Sequence, residues 1–487
     1  MAFDTGPRID LTSGERPSAV VVAVQLPGVD DGELASSLEE LERLATTLGL
    51  QPVGRVIQKR AKLASGIVVG EGKLIELAEW TGGTGVIQAF TKPGGRKAQN
   101  RANAALDDTD LDGEDDEDDE DDEDDDDVAD PDDVASSGAV GRATVVLVDH
   151  DLSPTQQRNL EKATGVDVLD RTSVILEIFH RHARTREARL QVEIARLKYL
   201  APRLRESSGG GDRVRGGIGG KGAGETSMEL DRRRIRDRIA ELRHELAQIE
   251  GGAQNRRGRR GELPTVALVG YTNAGKSSLM RGLTSSEVLV ADKLFATLDT
   301  TVRRLVPPTE PPILVTDTVG FIKKLPHDLV ASFRSTLDEA NEAELLLHVL
   351  DASDAAMPDQ LAVTREVLGD VLEKTGDDEV PAWLLLNKID RVSPEDRESL
   401  RQRYPRAIQL SARDRDDVAM LRDKLIEHFI GAMEEAELDV PYALAKLSHV
   451  IHEKTTVLSE EHGDEGTHFK VRAPSQVIET IRAQLAQ

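Results

Sequence analysis

One octapeptide constrains this chain more than anything else in it: Gly270-Tyr271-Thr272-Asn273-Ala274-Gly275-Lys276-Ser277. It follows a strand-forming apolar run, Thr265 to Val269, and opens a helix at Lys276, the context that separates a phosphate-binding loop from accidental glycines. Such a loop needs a parallel strand behind it and a helix N-terminus in front, so a doubly wound, mostly parallel sheet is predicted around it. Its backbone N–H groups and the positive helix end suit α- and β-phosphates. Lys276 suits the β- and γ-phosphates, and the Ser277 hydroxyl suits Mg²⁺.

Three later segments each match a different part of one ligand. Asp317-Thr318-Val319-Gly320 follows the apolar run Ile313 to Val315. That position suits a carboxylate beside the metal, acting through a water, and a glycine N–H that can approach a γ-phosphate closely. Asn387-Lys388-Ile389-Asp390 follows the run Ala382 to Leu386 and would choose the base, because Asp390 can accept from both N1–H and the exocyclic amine of guanine. Adenine offers no such pair, and a polar site left unpaired discriminates strongly. In Ser411-Ala412-Arg413 the Ala412 N–H can meet the base oxygen, and Arg413 stands where lysine is more usual. Taken together, the four segments imply a GTP/GDP site.

Between the first two segments lies Leu294-Phe295-Ala296-Thr297-Leu298-Asp299-Thr300-Thr301. A threonine that completes the Mg²⁺ shell and senses the γ-phosphate is needed there, and Thr297, Thr300 and Thr301 are all candidates. Phe321 follows Gly320 where many GTPases carry a water-positioning glutamine. Phenylalanine cannot orient water, so unassisted turnover is expected to be slow. The competing reading makes Phe321 a core residue, with the glutamine's task done elsewhere between Thr318 and Ser335.

The organisation is read as multidomain α/β. Residues 1–17 form an N-terminal tail. An N-terminal α/β domain over 18–170 is interrupted by a disordered acidic insertion at 107–136, and a helical hairpin over 171–255 has a Gly-rich tip at 209–224. The P-loop GTP-binding domain spans 262–433, and a small α+β C-terminal unit spans 437–487. In the first domain strands are predicted near Ser18–Gln25, Val53–Ile57, Ile67–Val69, Val86–Ala89, Thr144–Asp149 and Val166–Asp170. Helices are predicted over Asp31–Leu48, over Lys73–Trp80 and after a Ser153 cap followed by Pro154. A helix from Thr172 to about Leu204 and another from about Glu225 to Glu250 carry apolar residues in an alternating four-and-three rhythm, which predicts an antiparallel pair.

Charge adds one point. The formal charge is −27, but 21 acidic residues lie between Asp107 and Asp133, which leaves −6 for the rest. That block cannot bury apolar surface and repels itself, so it reads as a solvated spacer. The absence of cysteine excludes disulfides and thiolate metal sites. No signal-peptide progression opens the chain and no apolar run nears the roughly 20 residues that span a bilayer, so a cytoplasmic protein without membrane insertion is expected.

With these motifs placed, the chain resembles the HflX family of ribosome-associated GTPases. The resemblance rests on Gly70-Glu71-Gly72-Lys73, on Leu152-Ser153-Pro154-Thr155-Gln156-Gln157-Arg158-Asn159-Leu160, and on Asp170-Arg171-Thr172. It extends to Ala183-Arg184-Thr185-Arg186-Glu187, Gly222-Ala223-Gly224-Glu225-Thr226 and Asp231-Arg232-Arg233-Arg234-Ile235. It implies Mg²⁺-dependent GTP hydrolysis, stimulated by ribosomes, by a monomer. It also implies binding to the large ribosomal subunit and its rRNA, with ribosome splitting or rescue under stress or a part in ribosome biogenesis. It maps Phe295 to Asp299 onto the family's first switch with Thr297 as metal ligand, so Lys276, Thr297 and Gly320 become the catalytic candidates. Two departures stand out: the tip reads Gly220-Lys221-Gly222-Ala223-Gly224 where Arg and Pro are usual, and Thr300 replaces a usual Pro.

Apart from that resemblance, Arg232, Arg233, Arg234, Arg236 and Arg238 on one helix suit RNA phosphates, although surface arginines also serve as partners of nearby carboxylates. A dinucleotide-type pattern, Gly217-Ile218-Gly219-Gly220-Lys221-Gly222, has no preceding strand and is rejected. His180 and His182 lie two apart on a helix and form no metal pair. The alternative function is a low-turnover, GTP-dependent assembly or hibernation factor docked on the ribosome.

Overall fold

The computed structural model describes residues 16–64, 66–87, 143–207, 227–257, 263–285, 294–295, 301–324, 343–372, 380–431 and 433–485. Its chain divides into two compact units, Met1–Arg171 and Thr172–Gln487.

In the first unit, β1 (Ser18–Gln25), β2 (Gln51–Lys59), β3 (Val145–Val148) and β4 (Asp167–Asp170) form an all-parallel sheet in the order β2-β1-β3-β4. β1 is buried on both faces, which fits its unbroken apolar run. Helices α2 (Glu71–Thr81) and α3 (Pro154–Thr164) pack with Val20, Val22 and Val24 in one cluster, while α1 (Asp31–Leu48) contributes its leucines outside that cluster. Asp30 caps α1 through Glu33 N, and Gly49 ends it in the left-handed conformation. Ser153 and Gln156 form a full capping box on α3.

Sequence pattern misread one stretch here. The strand expected at Ile67–Val69 does not form, because this segment is a loop fastened by side chains. Gln156 Nε2 donates to Ala64 O at 2.7 Å, Asn159 Nδ2 donates to Gly66 O at 2.9 Å, and Val68 and Val69 sink into the core as loop residues. Val86 and Ile87 likewise lie outside any strand, and the rest of the strand expected there, with the whole acidic insertion, falls outside the described residues.

A buried ionic knot closes the unit. Arg171 is 1% exposed and bridges Asp149, at 2.8 Å, and Glu40, and Asp149 also accepts from Ser37 Oγ at 2.7 Å.

The second unit begins with helical segments. The stretch expected to be one helix from Thr172 is two, α4 (Arg171–His182) and α5 (Arg186–Ser207), separated at Ala183–Thr185, where Thr185 Oγ1 caps Ala188 N. α5 pairs with α6 (Ser227–Arg257) through Leu190, Ile194 and Leu197 against Ile235 and Leu242. Arg186 meets Glu245, and seven residues further along α5 Glu193 meets Arg238, seven residues earlier in α6, so the pair is antiparallel. The Gly-rich tip lies outside the described residues.

β5 (Thr265–Gly270), β6 (Thr301–Arg304), β7 (Leu314–Asp317), β8 (Leu345–Asp351), β9 (Ala382–Asn387) and β10 (Ile408–Gln409) form one sheet in the order β10-β9-β8-β5-β7-β6. All neighbours are parallel except the edge strand β6. The order reverses at β5, the switch point at which open α/β sheets leave a crevice for ligands. Helices α7 (Lys276–Thr284), α8 (Met357–Leu372), α9 (Pro394–Arg403) and α10 (Arg415–Ile430) accompany this sheet, and α7 and α10 share its core through Leu279, Leu283, Leu421 and Leu425.

The last sheet, β11-β13-β12, is antiparallel and built from β11 (Met433–Pro441), β12 (Thr456–His462) and β13 (Gly466–Pro474). It packs on α11 (Ala445–Lys454) and α12 (Ser475–Leu485). β11 escaped the sequence reading, although Ala436, Leu438 and Val440 alternate with acidic residues in the period of a half-buried strand.

Candidate functional site

All four motifs leave the carboxyl ends of strands in the six-stranded sheet. Gly270 ends β5, Asp317 ends β7 and Asn387 ends β9, while Ser411 comes two residues after β10. The sheet therefore brings segments more than a hundred residues apart to one rim.

The first loop needs its small residues. Gly270 has φ +145°, and a Cβ there would lie 2.2 Å from Val349 O; Gly275 has φ +101°, and its Cβ would lie 2.1 Å from Asn387 Nδ2. Asn273 takes a left-handed φ of 61°. Tyr271 is buried and its hydroxyl accepts from Lys323 N at 2.6 Å. Ala274 is buried, and its carbonyl accepts from Asn387 Nδ2 at 2.8 Å. Lys276 is folded back, donating to Gly270 O at 3.0 Å and Tyr271 O at 2.8 Å. Burial pushes its pKa down to about 8, with Asp317 opposing the shift.

Ser277 Oγ donates to Asp317 Oδ2 at 2.8 Å, and Asp317 is fully buried. A hydroxyl and a carboxylate side by side are the hard oxygen donors that Mg²⁺ takes, so these residues fit that ion. Thr318 Oγ1 donates to Leu268 O at 2.7 Å, which fixes the turn, and Val319 is buried. A Cβ on Gly320 would fall 2.8 Å from Thr272 Cα and 3.0 Å from Lys276 Nζ. Phe321 is buried, donates from its N to Gly270 O at 3.1 Å and accepts from Thr272 N at 2.7 Å. Its side chain is thus withdrawn into the core while its backbone zips the second motif to the first.

Asn387 ties three motifs together. Its Nδ2 holds Ala274 O and its Oδ1 accepts from Ala412 N at 2.9 Å, so the N–H expected at the base oxygen is held in this structure by the asparagine of the preceding motif. Lys388 takes a left-handed φ of 58° and its Nζ lies 2.6 Å from Asp351 Oδ2. Ile389 is buried. A hydrogen bond from the Ser411 side chain, its own backbone and nearby Arg413 and Arg391 hold the Asp390 carboxyl below its ordinary value. Ser411 N is fixed by Asp417 at 2.7 Å, and Arg413 N donates to Ser411 Oγ at 3.3 Å. Of the expected first switch, Phe295 is described and buried; Ala296, Thr297, Leu298 and Asp299 lie outside the described residues.

Two residues of this rim were missed. Asp351 closes β8 and anchors Lys388; the signal was an acid ending an apolar strand beside the switch point. His348, also on β8, is buried, and burial with Arg365 and Lys276 nearby pushes its pKa down to about 4, so it is neutral near pH 7. A histidine within an apolar strand gave no pattern to read.

This sheet order and this motif order define a P-loop GTPase, and comparison with known proteins refines the class. Residues 265–388 match the family model described as "50S ribosome-binding GTPase". Residues 35–88 and 132–180 match "GTP-binding GTPase N-terminal", and residues 182–260 match "GTP-binding GTPase Middle Region". A GTPase HflX of Gluconacetobacter diazotrophicus is 54% identical over 96% of this chain and 98% of its own length. Another, of Caldanaerobacter subterraneus, is 34% identical over 96% of this chain and 94% of its own. A solved structure described as a complex of SsGBP with GDP covers 85% of this chain and 98% of its own at 22% identity and a TM-score of 0.42. The chain belongs to the HflX family of GTPases.

Proposed function

We propose that this chain hydrolyses GTP to GDP and phosphate with Mg²⁺ while docked on the large ribosomal subunit, and that it acts in ribosome splitting, rescue or biogenesis. The observation that carries the site reading is the convergence of four motifs on one sheet rim at its switch point, with Asn387 bonded to both the first loop and Ala412. In this reading Gly270 to Ser277 cradle the phosphates. Asp317 to Gly320 face the metal and γ-phosphate, and Asn387 to Asp390 with Ser411 to Arg413 read guanine. Phe295 to Asp299 form the first switch. Ser277 and Thr297 would hold Mg²⁺, which supplies charge neutralisation between the β- and γ-phosphates. Lys276 straightens from its carbonyl partners toward the phosphates, and Gly320 gives its N–H to the γ-phosphate.

The ribosomal assignment draws on the description of the family model over residues 265–388. The basic face of α6 supports it: Arg236 and Arg243 are exposed, although Arg238 and Arg234 are engaged by carboxylates. The domain division given above, a monomeric state and a cytoplasmic location belong to the same proposal. Among the described residues no helix is long and apolar enough to cross a membrane.

With Phe321 withdrawn, turnover is slow alone and rises on the ribosome. Single-turnover GTP hydrolysis with and without large subunits, paired with co-sedimentation in a GTP analogue, tests this. Stimulation with co-sedimentation supports the proposal. Co-sedimentation without stimulation favours the assembly or hibernation factor, and failure to sediment removes both.

A further inference from the structure

Thr272 occupies the third position of the phosphate loop, and its side chain is anomalous. It is 6% exposed, yet its Oγ1 has no hydrogen-bond partner among the described residues. Three other buried threonines of this unit are each satisfied by a main-chain carbonyl at 2.7 Å: Thr284 by Met280, Thr318 by Leu268 and Thr364 by Gln360. A buried hydroxyl left unpaired opposes folding, so its retention points to a partner that arrives with a ligand.

The surroundings say which ligand atom that is. The point where a Cβ on Gly320 would sit is 2.8 Å from both Thr272 Cα and Cγ2 and 3.0 Å from Lys276 Nζ. Thr272 therefore packs through its methyl directly against Gly320 and beside the Lys276 ammonium, the two groups assigned above to the γ-phosphate. Thr272 is also the residue whose N–H donates to Phe321 O, so it is tied to the residue that stands in the glutamine's place.

We propose that the Thr272 hydroxyl holds the attacking water against the γ-phosphate, a task for which the Phe321 side chain has no polar atom. This rests on the nucleotide-site reading. A hydroxyl can accept from the water and donate to a γ-phosphoryl oxygen at once. In the step it serves, the water oxygen bonds to the γ-phosphorus while the bond to the β,γ-bridging oxygen breaks. That electron pair stays on GDP, and the water proton passes to the departing phosphate, giving GDP and inorganic phosphate. Thr272 orients this step and keeps its own proton.

The test uses full-length protein and three substitutions, with GDP affinity, affinity for GDP with aluminium fluoride, and single-turnover hydrolysis as readouts. Thr272→Val keeps the shape and removes the hydroxyl. Its hydrolysis rate and its affinity for the aluminium fluoride complex are expected to fall about 100-fold, as for loss of one transition-state contact, with GDP affinity within about twofold of the parent. Thr272→Ser should retain both within about threefold. A Val variant with parental rate and analogue affinity overturns the proposal, as does equal loss in Val and Ser. Should Val disturb the loop enough to weaken GDP binding, Thr272→Ala decides. A rate loss beyond the loss in GDP affinity supports the role, and parallel losses overturn it. If the parent itself takes up no GDP, the site reading fails rather than the role of Thr272.

Discussion

Phe295 meets Phe179 edge to face, with ring centroids 4.5 Å apart and planes at 83°. Both side chains are buried, Phe179 on α4 and Phe295 two residues before Thr297. Phe295 holds a left-handed φ of 56°, an unfavourable backbone for a bulky residue, which burial of both rings offsets. An edge contact of this kind contributes about 0.5–1.5 kcal/mol beyond burial. Phe179→Leu should therefore lower stability by about 1 kcal/mol and Phe179→Ala by about 3–5 kcal/mol in denaturant titrations. Because Thr297 is expected to respond to the γ-phosphate, Phe179→Leu should alter affinity for a non-hydrolysable GTP analogue more than for GDP. Equal changes for both nucleotides would show that the ring pair is core packing alone.

Asp390→Asn replaces an acceptor with a group that donates toward guanine's own donors. GTP affinity is expected to fall by about 10²–10⁴-fold, with preference passing to xanthosine triphosphate, whose 2-oxo group accepts from the new amide. Competition binding with the two nucleotides reads this out, and undiminished guanine preference would count against Asp390 as the base reader.

Lys276 gives a pH signature. Burial holds its pKa near 8, below the unfolded value, so the free protein binds fewer protons than the unfolded chain between about pH 8 and 10.5. Stability of the nucleotide-free protein from this group is lowest below pH 8 and rises as pH climbs through that window. Phosphates beside the ammonium raise its pKa again, so binding takes up a proton and GDP affinity should fall from pH 8 to 9. Calorimetry in buffers of different ionisation enthalpy measures that uptake. Lys276→Ala should abolish both uptake and binding while leaving the circular dichroism unchanged.

Arg171→Ala leaves Asp149 and Glu40 buried beside one another without their shared cation. The cost expected is about 3–5 kcal/mol. Arg171→Met, which refills the volume, leaves the same two charges and should recover little. A loss below about 1 kcal/mol in urea unfolding would mean that water reaches the knot.

Much of the site was legible because its chemistry forces contiguous residues: a loop that must wrap phosphate needs Gly270 and Gly275 at positions no Cβ can occupy. The roles of Asn387 and Asp351 were harder, since they hold motifs together across strands and only the sheet order makes them neighbours. The family's own segments turned out to do structural work. Gln156 and Asn159 clamp the loop that pattern had read as a strand, and Arg171 fills the ionic knot. The apolar run Ile67-Val68-Val69 reported burial of Val68 and Val69 correctly and hydrogen bonding wrongly, because a loop clamped by amides can bury the same side chains. β11 shows the reverse error, a real period-two strand hidden by its acidic outer face.

Ile87 and Ala143, the described residues on either side of positions 88–142, both pack into the same apolar cluster. Ala143 N is fastened to Trp80 O at 2.9 Å and Gly85 N to Ala163 O at 3.0 Å, so each end is tethered independently of what joins them. Both flanks are thereby held by the core itself, which makes the stretch between them a natural splice point for a reporter or affinity handle.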